Sequence, residues 1–296
     1  MLRTLFRPSL LLACVLASGC GPSAVEPKPT ANQDTQAQAL RIRIPRWLKI
    51  VVSDMVGAAS GAQTGAEIGG ILGPEGAAAG AVIGGIIGGV QASTEAAARQ
   101  TTTLGVSAGS KPSSDPANAR NPFDHIGQHH NAVLDTSVGI IGPGGCIPNP
   151  FPFPFPRDRT QGPLWDYSLK TLNAPPELMK LPELEASWHK TLDFVVSVEQ
   201  AEDLELAIAD GVKSGLLTPP VGERLISYVN TVAPLDTDKL LEVTKAIEEE
   251  TLADKELGEQ DRQSLLSAYS VARHSAAYWG EQAAQQESSP WCGCSK

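Results

Sequence analysis

The residues best suited to chemistry lie in one box, Asn121-Pro122-Phe123-Asp124-His125-Ile126-Gly127-Gln128-His129-His130-Asn131, running on to Leu134 and Asp135. His125 and His129 are i, i+4, so on a helix both rings could face one cation, with Asp124, His130 or Asp135 nearby. No Glu follows His125 as the H-E-x-x-H arrangement requires, so the zinc-protease pattern is absent. The other use of the same side chains is architectural. Asp124 would cap, His130 and Asn131 would hydrogen-bond neighbouring backbone, and Asp135 would end or anchor the helix. We expect this second use, and assign no catalytic residue, metal or cofactor. His189 and His274 fall inside helical patterns and read as structural histidines. No P-loop, dinucleotide fingerprint or C-x-x-C pair occurs elsewhere, no nucleophile–base pair can be named, and we expect no enzyme.

The elements that must carry the box are helical. Asn121 is a good N-cap, Pro122 suits a first helical position, and Asp124 would stand near the positive helix end. Phe123, Ile126, His130 and Leu134 then share one face of a short helix within residues 121–137. Before it comes the strongest pattern in the chain. Gly57, Gly61, Gly65, Gly69 and Gly73 recur every four residues, and after Pro74-Glu75 the ladder restarts as Gly76, Gly80, Gly84 and Gly88. Period four lies close to the 3.6 of an α-helix, so each set forms a stripe. A mid-helix glycine costs up to about 1 kcal/mol relative to alanine, which makes sense only where backbones pack closely. The spacing therefore predicts helices over 47–73 and 76–98, face to face along their stripes.

Three settings for this hairpin remain open: in or on a membrane, against the protein's own helices, or in an oligomeric pore. Gly76 to Val90 holds no charge, and with Gln91 to Ser93 the run approaches the minimum for a span. The first helix carries Asp54, Gln63 and Glu67, and a mid-bilayer carboxylate costs roughly 2.5 to 3.5 kcal/mol. Arg41, Arg43, Arg46, Trp47 and Lys49 precede it and suit an interfacial entry.

Around these elements the composition shifts. Residues 20–45 and 99–120 are rich in small and polar residues and Pro, without apolar periodicity, and read as a tether and a linker. Residues 138–163 form a Gly/Pro/Phe-rich arm in which Pro148 to Pro156 alternate with Phe151, Phe153 and Phe155, which excludes helix and central strand. Residues 164–285 read as a helical domain punctuated by prolines, with helices near 183–197, 201–214, 219–231, 237–252 and 258–280. Asp236 or Thr237 can cap the fourth of these, and Glu248-Glu249-Glu250 most simply lies on its solvated side. Leu265, Leu266, Tyr269, Ala272, Ala276 and Trp279 make a buried stripe on the last. Residues 286–296 are a Cys-containing tail. The fold class is mainly α: a glycine-zipper hairpin plus a C-terminal helical domain, with disordered linkers.

The whole chain has 296 residues, a net charge of −10 and five Cys. The acidic balance makes a nucleic-acid partner a poor expectation, because phosphate neutralisation needs a basic surface. Residues 1–19 read as an export signal: Arg3 and Arg7 precede an apolar stretch from Leu10 to Ala17 that is too short to span a bilayer. Its end, Leu16-Ala17-Ser18-Gly19-Cys20, resembles the lipobox of bacterial lipoproteins. That resemblance implies acylation of Cys20 and cleavage after Gly19, which would remove two positive charges and no negative one, leaving −12 from −10. Membrane lipid would then be the first partner, through several acyl chains on Cys20. Cys14 leaves with the signal, so Cys146, Cys292 and Cys294 remain. In an oxidising envelope Cys146 could pair with Cys292 or Cys294, the alternative being a tail C-x-C in metal binding or redox exchange.

The box resembles the N-P-Y-D-x-x-G-x-x-H-N-x-x-L-D signature of uncharacterised, often lipidated bacterial envelope proteins. There a glycine-zipper segment precedes the box and an S-x-x-Y-W motif closes a helical domain. The matching positions are Asn121, Pro122, Phe123 (Tyr in the signature), Asp124, Gly127, His130, Asn131, Leu134 and Asp135, and Ser275-Ala276-Ala277-Tyr278-Trp279 fits the closing motif. The resemblance spans about residues 46–280 and brings no activity with it. We therefore expect a cell-envelope protein, lipid-anchored to the outer or inner membrane, with a structural or partner-binding role toward a protein not identifiable from sequence. The alternative is a membrane-inserting, pore-forming protein acting through the hairpin. Membrane contact or self-association along the glycine zipper is expected of either.

Overall fold

Prolines and glycines set most of the helix boundaries in the computed structural model, which describes residues 46–100, 113–141 and 177–288. Of these, residues 46, 95–100, 135–141, 179, 184, 185, 188 and 281–288 are described in backbone only. Eight α-helices follow one another: α1 (Arg46–Gly69), α2 (Pro74–Gln100), α3 (Asp124–Ile141), α4 (Pro182–Gln200), α5 (Leu204–Lys213), α6 (Pro219–Val232), α7 (Thr237–Ala253) and α8 (Glu259–Ser288). No strand occurs among the described residues. Pro74, Pro182 and Pro219 open helices, where a missing N–H costs nothing. Asp203 and Asp236 cap α5 and α7, each accepting from the backbone N–H three residues on, Leu206 and Lys239.

The ladder glycines bring α1 and α2 into contact along their length. Four pairs oppose one another: Gly57 with Gly88, Gly61 with Gly84, Gly65 with Gly80, and Gly69 with Gly76. A Cβ built on any of these eight would stand only 2.0–2.4 Å from the carbonyl oxygen of its partner. In glycine a hydrogen occupies that direction, so each pair approaches as a reciprocal Cα–H···O contact. The turn between the helices is a single 3₁₀ segment, Gly70–Leu72, ending at Gly73 with φ +92°, in the half of φ space that only glycine enters freely.

This hairpin is the centre of the protein's own helical core. One face of α1 (Leu48, Val51, Val52, Met55, Val56) packs with Val221, Leu225 and Tyr228 of α6, Leu240 and Leu241 of α7, and Leu265, Tyr269 and Ala272 of α8. On the other side Ile83, Ile86, Ile87 and Val90 of α2 meet Ile126, Val133 and Leu134 of α3, with Leu178, Val271 and Tyr278. Of the three settings open from sequence, the structure thus has the second. The stretch Pro74–Thr94 is long and apolar enough to cross a membrane, yet 78% of its 18-residue apolar window is buried inside the protein. Two polar residues of α1 that argued against a span are provided for internally. Gln63 accepts from the Thr218 N–H at 3.0 Å and donates to the Thr218 hydroxyl at 3.1 Å, and Asp54 is taken up below. Glu67 faces solvent. The hairpin expected over 46–98 and the helices expected over 164–285 contribute to this same core.

Residues 113–121 lie along α7 as a strap. Asp238 accepts from the backbone N–H groups of Ser113 and Ser114 at 2.9 and 3.0 Å, Lys245 donates to the Asp115 carbonyl at 2.7 Å, and Asn118 donates to Glu248 at 2.6 Å. The part of the expected linker that is described is therefore held by one side of a single helix. The signal, the tether, Cys20, the Phe–Pro arm (Pro148 to Pro156), Cys146, Cys292 and Cys294 lie outside the described residues.

Candidate functional site

The box and the closing S-x-x-Y-W motif meet on α8, in a buried polar seam between α1, α2, α3, α7 and α8. It starts at Asn121, which stands before the helix rather than at its cap. Its Oδ1 accepts from the Phe123 N–H at 2.8 Å and turns the chain, and α3 begins at Asp124. The amide nitrogen of Asn121 is thereby turned inward, donating to Glu248 at 2.7 Å and to the Leu266 carbonyl at 2.9 Å. Asp124 likewise looks away from its own helix end. It accepts from Arg273 at 2.6 Å and faces His274 at 3.4 Å. Burial alone would raise the Asp124 carboxyl, but the hydrogen bonds from His274 and Arg273 and the guanidinium charge outweigh it and hold it well below the usual range.

Glu248 is a correction to the sequence reading, which put it on a solvated side. It is fully buried. Four donors converge on it: Asn118 and Asn121 through their amides, and Arg273 through Nε at 3.2 Å and Nη2 at 2.9 Å. Burial nevertheless raises its carboxyl above the ordinary value, against the pull of Arg273 and the two amides. Arg273, also fully buried, thus holds two carboxylates from two other helices.

Gly127 explains itself by the same junction. A Cβ there would meet His274 Cδ2 and the Ser270 carbonyl, each at 2.5 Å. With only a hydrogen, α3 comes close enough for the Gly127 N–H to donate to Ser270 Oγ at 3.0 Å, while that hydroxyl donates to the Asp124 carbonyl at 2.9 Å.

One turn further on, His130 is wholly buried among helices α1, α2 and α3. Its Nδ1 faces Asn131 Oδ1 at 3.0 Å, its Nε2 faces Ser93 Oγ at 3.3 Å, and Asp54 Oδ2 lies 3.7 Å away. Burial lowers its basicity to about 4, more than the Asn131 and Gly89 hydrogen bonds restore, so the ring is neutral near pH 7. Asn131 donates to the His274 carbonyl at 2.9 Å. Ser275 donates to Asp54 at 2.6 Å, Trp279 donates to Ser93 at 3.4 Å, and Ser93 itself donates to Asp54. Tyr278 packs in the core beside Val271. Asp54 and Ser93 were not singled out as site residues by sequence. The available signal was Asp54, a carboxylate in the apolar first half of a glycine-stripe helix.

Asn121, Asp124, Gly127, His130 and Asn131 thus each serve a junction between helices, while Gln128 bonds back to Asp124 within α3. Pro122 lies in the turn that leads into α3, and the Asp135 side chain lies outside the described residues. A serine beside a histidine and a carboxylate has the ingredients of a nucleophile, but Ser93, His130 and Asp54 are each fully buried. Attack by Ser93 would require a substrate where the core is packed.

His125 and His129 stand outside the seam, with ring centroids 6.3 Å apart and edge to face. Among the described residues no group of three or more His, Cys, Asp or Glu side chains converges to hold a metal ion. A Zn²⁺ titration followed by calorimetry is expected to give the same weak, non-saturating response for the native chain and for His125→Ala. A saturating isotherm lost in the variant would establish a site. Fold and seam together define the class: a helical protein built round a glycine-to-glycine hairpin and pinned by buried polar side chains. No family model matches the chain, and neither a curated protein nor a solved structure matches it.

Proposed function

We propose that the chain is an exported, lipid-anchored cell-envelope protein with a structural or partner-binding role and no chemistry of its own. The observation that carries this reading is the use of the box. Asn121, Asp124, Gly127, His130 and Asn131 are spent on holding α3 to its neighbouring helices, which supports an architectural use of the positions that carry the resemblance. The lipobox-like Leu16-Ala17-Ser18-Gly19-Cys20 supplies the address. Anchorage by several acyl chains, at about 0.8 kcal/mol per buried methylene, needs no insertion of the hairpin. Metabolic labelling with palmitate tests it: the native chain should carry label and sediment with membranes, and Cys20→Ser should do neither. Equal labelling of the two, or none of either, overturns the anchor.

One feature favours the membrane-inserting alternative enough to deserve a test. Ile71 and Leu72, at the hairpin turn, are 60% and 42% exposed. Ile71→Ser with Leu72→Ser removes this apolar tip without touching the glycine contacts below it. Dye release from liposomes should be negligible for both native chain and variant. Release by the native chain that the variant loses would move the function to the hairpin tip.

A further inference from the structure

The Asp54 carboxyl sits where four helices converge and has a poor set of partners for a charge. Oδ2 takes the hydroxyls of Ser93 from α2 and Ser275 from α8, while Oδ1 is buried with no hydrogen-bond partner. Among the described residues no Lys or Arg acts on it. The groups that face it are Ser93 of α2, His130 of α3, and Ser275 and Trp279 of α8, and of these only His130 titrates near neutrality. Arg273 and His274, which precede Ser275 on α8, are turned to Asp124. Helices α4 and α6 also pack on α1, and the side-chain hydrogen bonds made there, Thr64–Thr191 and Gln63 to Thr218 just before α6, lie toward the hairpin turn. A buried carboxylate with one bare oxygen and no cation is strongly disfavoured, whereas the neutral acid fits. In that form hydrogen bonds can run in sequence: Asp54 to Ser93, Ser93 to His130 Nε2, His130 Nδ1 to Asn131, and Asn131 to the α8 backbone.

We propose that Asp54 is a proton-controlled latch that clamps the glycine hairpin to α3 and α8 while its carboxyl is neutral and loosens them when it ionises. The inference stands on the seam geometry and is independent of where the protein is anchored. Burial pushes the Asp54 carboxyl from 3.8 to about 8, against the Ser275, Ser93 and Trp279 hydrogen bonds. Its contribution to stability is therefore complete below the unfolded value and lost as pH rises through the folded one. His130 moves oppositely, from 6.5 to about 4, so the fold gains from it as pH rises between those values. The two slopes cancel up to pH 6.5, and the net loss falls between 6.5 and about 8. Over that window the unfolding equilibrium should shift by about 30-fold toward the open state.

Denaturant unfolding of the full chain at pH 6, 7, 8 and 9 is the test, with Asp54→Asn beside the native protein. The native midpoint should fall above pH 6.5 while the Asn variant stays level, and amide exchange in α3, corrected for its intrinsic rate, should accelerate in the native chain alone. Should the Asn variant not fold, Ser275→Ala decides: loss of a bond that favours the ionised carboxyl must move the transition to higher pH. Infrared spectra of the native chain should show a protonated-acid carbonyl band at pH 7 that Asp54→Asn or Ser275→Ala alters. Parallel pH profiles in both comparisons, or absence of that band, would overturn the latch.

Discussion

Alanine at Gly84 will unzip the hairpin, and alanine at Gly85, the next residue, will not. The two sites share a helix, a local sequence and a propensity gain of up to about 1 kcal/mol for replacing glycine. They differ in what the new methyl meets. At Gly84 it would stand 2.0 Å from the Gly61 carbonyl oxygen and 2.7 Å from its carbon, both backbone atoms that move only if the helices separate. At Gly85 the nearest atoms are the Ala58 oxygen and the Ala62 methyl, each at 3.6 Å, an ordinary contact. Separation at one rung also spreads the neighbouring pairs, Gly57–Gly88 and Gly65–Gly80, so the cost exceeds a single overpacked methylene and should reach about 3 kcal/mol or more. Urea midpoints measure both. Gly85→Ala should match or slightly exceed the native chain, and a Gly84→Ala midpoint equal to it would remove close backbone packing as the purpose of the ladder.

Arg273→Met should cost about as much, by a different route. Methionine fills much of the same space, but Asp124 and Glu248 would be left in the interior without their cation. Breaking one partner of a buried ionic cluster costs roughly 3–5 kcal/mol, far beyond the net worth of an exposed pair such as Arg120–Glu249. Glu248→Gln is the gentler probe. All four of its partners donate, so an amide places an NH₂ against at least one donor and should cost about 1–3 kcal/mol. Combining Arg273→Met with Glu248→Met removes cation and anion together, and its cost should fall short of the sum of the singles. Thermal unfolding of the three variants checks this. Strict additivity would mean that the cluster does not act as a unit.

Helices were legible because their punctuation is local. Pro74, Pro182 and Pro219 open helices and Gly73 ends a turn, and each signal needs no knowledge of the rest of the chain. The face-to-face hairpin was legible too, since period four leaves a stripe with no other use. The site was only half legible. The box residues were picked out, but the partners of Asn121, Asp124, Gly127 and Asn131 lie more than 120 residues away, on α7 and α8, and no local pattern encodes such a distance. Glu248 looked solvated because it sits in a run of three glutamates, and only Arg273, Asn118 and Asn121 make its burial tolerable. Arg273 was not singled out, because the last helix was read as buried along one stripe. In fact α8 is buried on every side from Ser264 to Ser275. Its Ser and Ala content carried that signal, because small residues all round suit a helix surrounded by others.

The position of α8 has a kinetic consequence. The hairpin closes on itself through contacts local in the chain, but its two flanks are covered by segments made last: Asp54 waits for Ser275, 221 residues later. Contacts of such separation are entropically late, so the first compact species is a bare hairpin with both apolar sides uncovered. A ribosome delivers that hairpin long before the helix that completes it. Until α3 and then α8 follow, the 21-residue run Pro74–Thr94 has no internal partner beyond α1, and a bilayer or a holding chaperone can compete for it. Truncation within α8 would therefore prolong a vulnerable intermediate rather than merely shorten the protein.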